Sequence, residues 1–319
     1  MAGPRVSMAA SITAAVVVAV AAPYAVYPVF LMKGLCFALF AVAFNLLLGY
    51  TGLLSFGHAA FFGMAAYVAG HVLKEWGAPP ELGVLAGTAV AAVMGLAFGF
   101  LAIRRLGIYF AMVTLALAQM VYFFCLQAPF THGEDGIQAI PRGRLFGLLP
   151  LDDIRTLYFV VLAVFLLGVW VVWRAIHSPF GQVLKAIREN EARATSLGYR
   201  TAHFKLAAFV LSAALAGLAG ATKALVFQLA SLTDVDWHTS GEVVLMTLLG
   251  GMGTPLGPVA GAFVVVAIEN TLAELGAWVT VIQGAIFVAV VLLFRRGLVG
   301  EGLALIHRLK ARRTPAAGA

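Results

Sequence analysis

Charge is scarce in this chain of 319 residues. Lys, Arg, Asp and Glu make up 11% of it and hydrophobic residues 62%, whereas soluble domains carry about 25% charged residues. Mean hydropathy is +0.98. The shortage excludes a soluble globule, which has no interior able to hide so much apolar side chain, and a disordered chain, which needs the reverse composition. Cysteine is nearly absent. Cys36 and Cys125 both stand in apolar runs and are too few for a disulfide framework or a zinc site, so they read as buried thiols. No metal or cofactor is expected. No Lys follows a Gly, so the Gly-Lys pair of a phosphate-binding loop is missing, as are His-Glu-x-x-His, Gly-x-Ser-x-Gly and Cys-x-x-Cys. The chain is therefore expected neither to hydrolyse nucleotide by itself nor to be an enzyme. Basic runs interleaved with aromatics are absent too, which removes nucleic acid as a partner. Period-2 alternation is missing, which removes a membrane β-barrel.

What is present is a succession of long apolar runs. A helical span needs about 20 apolar residues. Ten are predicted, at about 8–30, 32–50, 58–73, 82–103, 106–127, 157–174, 204–229, 239–252, 256–273 and 278–294. Arg5 ahead of the apolar stretch 8–22 imitates a signal peptide, but the many spans that follow favour a retained first helix. If the N-terminus is cytoplasmic and all ten runs cross, fifteen of the Lys and Arg residues fall inside and five outside, with Lys223 in a span. Basic residues concentrate on the cytoplasmic side of membrane proteins. The expected fold is an all-α polytopic transmembrane bundle, N-in and C-in, forming one domain over 1–319 with a basic tail at about 295–319.

Residues 128–156 read as an irregular outer loop with Pro129, Pro141 and Pro150. Residues 178–199, SPFGQVLKAIRENEARATSLGY, hold the densest charge cluster. Ser178 suits a helix N-cap and Pro179 the first helical position. Phe180, Val183, Leu184 and Ile187 form one apolar stripe, Lys185, Arg188, Glu189 and Arg193 fall largely on other faces, and Gly198 fits a helix end. The pattern is a short amphipathic helix, or two in series, on the cytoplasmic face. Such a helix rests on lipid or docks a cytoplasmic partner; Glu189 and Glu191 among the basic residues lean toward a protein.

Two Gly-rich stretches, LLGYTGLLSFGHAAFFG (47–63) and LLGGMGTPLGPVAGA (248–262), interrupt apolar runs, and both begin Leu-Leu-Gly-x-x-Gly. They are either tight turns between packed helices or broken helices lining a solute path, since irregular backbone at membrane depth survives only where protein or a water-filled cavity satisfies it. Asn45, His58, Gln119, Lys223, Glu242, Glu269 and Asn270 are the polar residues expected inside spans, and such residues are functional candidates by default.

Four ordered motifs resemble those of LivM-type permeases of branched-chain amino acid ABC importers. They are NLLLGYTGLLSFGHAAFFGMAAY (45–67), RRLGIYFAMVTLALAQMVYF (104–123) followed by GEDGI (133–137), the segment 178–199, and 248–262. The resemblance runs from about residue 30 to residue 300. It implies a permease subunit of a bacterial inner-membrane importer, working by alternating access beside a second, LivH-like permease. Two cytoplasmic ATPase subunits would power it and a periplasmic binding protein would deliver solute. By this resemblance the segment 178–203 couples to the ATPase through Phe180, Lys185, Arg188, Glu189 and Glu191. Asn45, Ser55, His58 and Gln119 are the residues expected on the translocation path. Relatives of this type move branched-chain amino acids, and also urea, short amides or aromatic acids. The rival readings are an ion-coupled secondary transporter, for which Glu269 is the fair candidate, and a channel for a small polar solute.

Overall fold

The computed structural model of the chain describes residues 19–272, 278–293 and 297. The span expected at about 8–30 lies outside the described residues as far as residue 18, and so does the basic tail at 295–319 apart from residue 297. A 3-10 turn at Ala22–Tyr24 precedes the first complete helix. In chain order the helices are α1 (Pro28–Thr51), α2 (His58–Lys74), α3 (Pro80–Ala102), α4 (Ile108–Gln127), α5 (Ile154–Ile176), α6 (Pro179–Glu189), α7 (Glu191–Ser196), α8 (Thr201–Phe227), α9 (Trp237–Gly250), α10 (Gly257–Leu272) and α11 (Trp278–Leu293).

α1 is the axis of the molecule. Pro28 stands in its first turn, where a missing N–H costs nothing, and Gly52 closes it at φ +77°. Its residues are apolar all round and buried from Met32 almost to the end, as befits a central helix rather than a surface one. α5, α8, α9 and α10 pack around it, and α2 and α3 form a further layer against α8.

The chemistry of that further layer explains its closeness. Lipid tails are as apolar as leucine, so helices in a membrane associate through close backbone approach rather than by escaping water. The buried residues of α3 are Pro80, Gly83, Gly87, Ala91, Gly95, Gly99 and Ala102, all small or cyclic, while Leu82, Leu85, Val93, Leu96, Phe100 and Leu101 face outward. A methyl group on Gly87 would lie 2.5 Å from the Ala65 carbonyl oxygen, and one on Gly217 of α8 would lie 2.2 Å from Ala91 Cβ. α4 shows the same one-sidedness, with Phe110, Ala111, Thr114, Ala118, Val121 and Cys125 inward and Met112, Met120, Phe123 and Phe124 outward. Both cysteines are buried and unpaired.

Among the described residues five helices, α1, α3, α4, α5 and α8, are long and apolar enough to cross a membrane, and α10 is a shorter apolar helix. The molecule is an all-α membrane helical bundle. One end of the bundle carries α6 and α7; the opposite end carries most of the remaining connections. The loop 128–156 is less irregular than expected: it contains β1 (Ile137–Gln138), β2 (Arg144–Leu145) and β3 (Leu149–Pro150). β2 pairs with β3 as a small hairpin, while β1 pairs antiparallel with β4 (Leu229–Ala230) beyond the end of α8. Asp153 caps α5: its carboxylate accepts from the Thr156 amide at 3.0 Å and hydroxyl at 2.8 Å. Those bonds hold its pKa below the usual carboxylate value.

Candidate functional site: two helix interruptions above an amphipathic helix

Both Gly-rich stretches are breaks between helices, at 52–57 between α1 and α2 and at 251–256 between α9 and α10. At membrane depth every polar backbone group in such a break needs a partner within the protein. In the first break, the amides of Gly52 and Leu53 return to the Leu48 and Leu47 carbonyls. The Phe56 amide donates to Thr114 Oγ1 of α4 at 3.2 Å, and the Gly57 amide to Ser55 Oγ at 3.2 Å. The Ala59 amide, at the start of α2, donates to Ser240 Oγ of α9 at 2.9 Å.

His58 sits at the first position of α2 and is fully buried. Its Nε2 lies 2.9 Å from Ser212 Oγ and its Nδ1 3.0 Å from Ser55 Oγ. Ser212 donates to the Ala43 carbonyl, so it accepts from Nε2–H; in a neutral ring Nδ1 then accepts from the Ser55 hydroxyl, which itself accepts from the Gly57 amide. The network thus places a proton on Nε2. Phe44, Phe61 and Phe209 present edge-to-face contacts around the ring. A neutral imidazole with both nitrogens paired fixes three elements together: the first break, α8 and, through Ser212, α1.

In the second break Asn45 of α1 does the corresponding work. Its Oδ1 accepts from the Gly253 amide and its Nδ2 donates to the Thr254 carbonyl, both at 3.0 Å. Thr254 Oγ1 in turn donates to the Gly251 carbonyl and accepts from the Gly257 amide. The approach is close enough to require glycine at 49, where a Cβ would lie 2.2 Å from Asn45 Oδ1 and 2.7 Å from the Gly253 nitrogen.

α6 and α7 lie at this end of the bundle. The segment 178–199 is two helices in series, broken at Asn190, whose side chain caps α7. Val183, Leu184 and Ile187 are buried and Phe180 is half-buried against Phe204. Ser178 occupies the N-cap position, but its hydroxyl donates back to the Ala175 carbonyl rather than accepting from α6. Gly198 takes φ +89° just after α7. Among the residues expected to couple, Glu189 is exposed, Glu191 pairs with the buried Lys205, and Lys185 lies 5.8 Å from the centre of the Tyr50 ring. Arg188 is exposed as well, but its guanidinium reaches back to donate to the Gly49 carbonyl. Tyr50, Lys185, Arg188, Glu189 and Gly253 line a cavity of about 460 Å³ between α6 and the breaks.

Of the residues expected on the path, Asn45, Ser55 and His58 are brought to the breaks and are each hydrogen-bonded within the chain. Gln119 is not: it is half-buried on α4, five positions past Thr114, and no hydrogen bond joins it to the others among the described residues. Thr114, Ser212, Ser240 and Thr254 were missed by sequence reasoning. At the opposite end Lys223 pairs with Asp234 at 2.7 Å and Lys33 with Glu269 at 3.0 Å. Glu242 is half-buried near that end on α9, and Asn270 is exposed on α10.

Fold and site together define a multi-pass helical membrane protein organised around two interrupted helices. The chain belongs to the family described as branched-chain amino acid transport system / permease component, whose sequence profile matches residues 26–292. That family is a transport component. It is 28% identical to the high-affinity branched-chain amino acid transport system permease protein LivM of Escherichia coli K12 over 290 residues, covering 82% of this chain and 67% of that protein. It is also 28% identical over 200 residues to the autoinducer 2 import system permease protein LsrC of Klebsiella pneumoniae, covering 60% and 56% of the two chains. The xylose transport system permease protein XylH of E. coli K12 is 26% identical over 175 residues, covering 52% and 44%. No solved structure matches significantly.

Proposed function

We propose that this chain is one of two permease subunits of an ABC importer in a bacterial inner membrane, with a LivH-like partner forming the other half of the path. A periplasmic binding protein delivers branched-chain amino acids, or related small amino acids and amides, and two cytoplasmic ATPases drive alternating access. The four-motif resemblance and the relatives named for branched-chain amino acids support this solute class; relatives named for autoinducer 2 and xylose are why it needs direct assay. The chain acts as a single permease domain over 1–319 with ten crossings and both termini cytoplasmic. The excess of Lys and Arg that this topology places on one side supports that orientation.

The observation that carries the proposal is the position of α6 and α7. α6, amphipathic with an exposed charged face, lies beside both helix interruptions, where a push on it reaches the parts of the fold least braced by helical hydrogen bonding. Phe180, Lys185, Arg188, Glu189 and Glu191, within 178–203, transmit ATPase closure to the breaks. Asn45, Ser55 and His58 serve the path by holding the breaks in register. Gln119, with surface left over on α4, serves it by facing solute or the partner permease.

The test is reconstitution of this chain with its partner permease, ATPases and binding protein, followed by ATP-driven uptake of leucine, isoleucine, valine, urea and xylose. The expected result is uptake of the branched-chain amino acids alone, lost in the double variant Arg188→Glu/Glu189→Lys. Normal uptake by that variant overturns the coupling role; uptake of xylose or urea instead overturns the solute class.

A further inference from the structure

The two interruptions are built alike, and one side chain lies beside both. Leu-Leu-Gly-x-x-Gly stands at 47–52 and again at 248–253. In each copy the last glycine takes a left-handed conformation, Gly52 at φ +77° and Gly253 at φ +73°. A Cβ on Gly52 would lie 3.2 Å from Arg188 Cγ, and one on Gly253 would lie 3.3 Å from Arg188 Nη1. The guanidinium donates to the carbonyl of Gly49, the third residue of the first copy. That carbonyl is in the last turn of α1, where four carbonyls lack helical partners. α9 also ends here, so a fixed positive charge sits beside the negative ends of two helix dipoles. Lys185 over Tyr50, one turn earlier on α6, keeps the same face of α6 against α1.

We infer that Arg188 is a latch: it clamps the two Leu-Leu-Gly-x-x-Gly turns to α6, so that the breaks at 52–57 and 251–256 move as one body when α6 moves. This rests on the coupling role of α6 but changes what Arg188 does there. Arg188 is a positioning residue whose guanidinium bonds its own chain, whereas its neighbour Glu189, equally exposed, faces the ATPase. The two glycines are required because any side chain at 52 or 253 would be strained at positive φ and crowd the arginine.

The experiment uses the assembled complex, with single-cysteine reporters in place of Phe56 in the first break and Met252 in the second. Maleimide labelling is followed with and without ATP and vanadate. With Arg188 present, both reporters change rate together on trapping. In Arg188→Ala the ATPases still co-purify, at least one reporter loses its response, and leucine uptake falls by about tenfold to a hundredfold, the loss of one charge-assisted hydrogen bond. Arg188→Lys keeps the charge and one donor and restores part of both signals, which a merely structural role would not do. Arg188→Met, which keeps an unbranched side chain without the charge or the donors, reproduces Arg188→Ala and covers the case in which that variant folds poorly. Two reporters that respond normally in Arg188→Ala overturn the latch. Loss of co-purification in Arg188→Ala also overturns it, making Arg188 a docking contact while the coupling role of α6 survives. Failure of the ATPases to co-purify with the unaltered chain takes down both.

Discussion

The two ends of this bundle are held by different chemistry. At the opposite end, α8 is tied down by charge: Lys223 to Asp234, with both side chains nearly buried, and Arg142 to the carbonyls of Leu225 and Val226. Gln228 and Ile140 exchange backbone and side-chain hydrogen bonds there, and β1 pairs with β4. At the α6 end one charged pair, Lys205 with Glu191, joins α7 to α8, but the breaks themselves are held by neutral groups: an amide side chain at one, and a histidine between two serines, with Thr114 and Ser240, at the other. Charged pairs out of water are costly to part. Neutral hydrogen bonds of about 1 kcal/mol each can be exchanged for others as helices shift. The difference separates a braced end from one able to rearrange, which is the asymmetry that a permease driven from one face requires.

Variants can break or sharpen that contrast. Asn45→Leu is expected to do most harm, since it strands the Gly253 amide and the Thr254 carbonyl at about 1–3 kcal/mol each. Thermal stability in detergent should drop and uptake per folded molecule should vanish; uptake at the normal level would mean that the second break needs no anchor. Lys223→Met leaves Asp234 buried without its cation and should cost about 3–5 kcal/mol. Most of that should return in Lys223→Met/Asp234→Asn, with uptake per folded molecule preserved in both. A double variant that is stable but inactive would move the opposite end from brace to mechanism.

His58 offers a finer test. His58→Leu leaves the Ser55 hydroxyl without its acceptor, at about 1–3 kcal/mol, and removes the pin between the first break and α8. Gln can keep one of the two bonds, so His58→Gln should retain more transport than His58→Leu. Equal loss in both would argue that the ring itself acts. The smallest effect belongs to Asp153, exposed at the start of α5. Its folded pKa is depressed by Thr156, so its stabilisation is present above the unfolded carboxylate value of about 3.9 and is lost as pH falls through the folded value. Asp153→Asn should therefore lower the melting temperature slightly at pH 7 and bring variant and parent together in acid. A gap that persists at low pH would contradict the assignment.

The sequence made the breaks legible and their anchors illegible, for a physical reason. Clustered glycine and proline in an apolar run are local signals of lost helix, and 47–63 and 248–262 carry them in a few residues. The partners come from far along the chain: Ser212 is 154 residues from His58, Ser240 is 181 from Ala59, and Thr254 is 209 from Asn45. A lone serine or threonine in an apolar helix satisfies itself on its own backbone and so carries no outward mark. Gln119 drew attention for its conspicuous amide, yet the residue of α4 that reaches the site is Thr114. The stripe Gly83, Gly87, Ala91, Gly95 and Gly99 was readable at every fourth position and tells which face of α3 is buried. Lys223 stood out as a cation inside a span; its carboxylate partner lies eleven residues on, in a turn whose geometry periodicity does not reveal.

The central claim is that ATPase closure moves the α6 end while the opposite end stays braced. Paired spin labels measure this directly in the assembled complex, one pair at the exposed positions 193 and 106 across the α6 end and another at 76 and 148 across the opposite end. Trapping with ATP and vanadate should shift the 193–106 distance and leave the 76–148 distance unchanged. An unchanged 193–106 distance, or a shift confined to 76–148, would contradict the account.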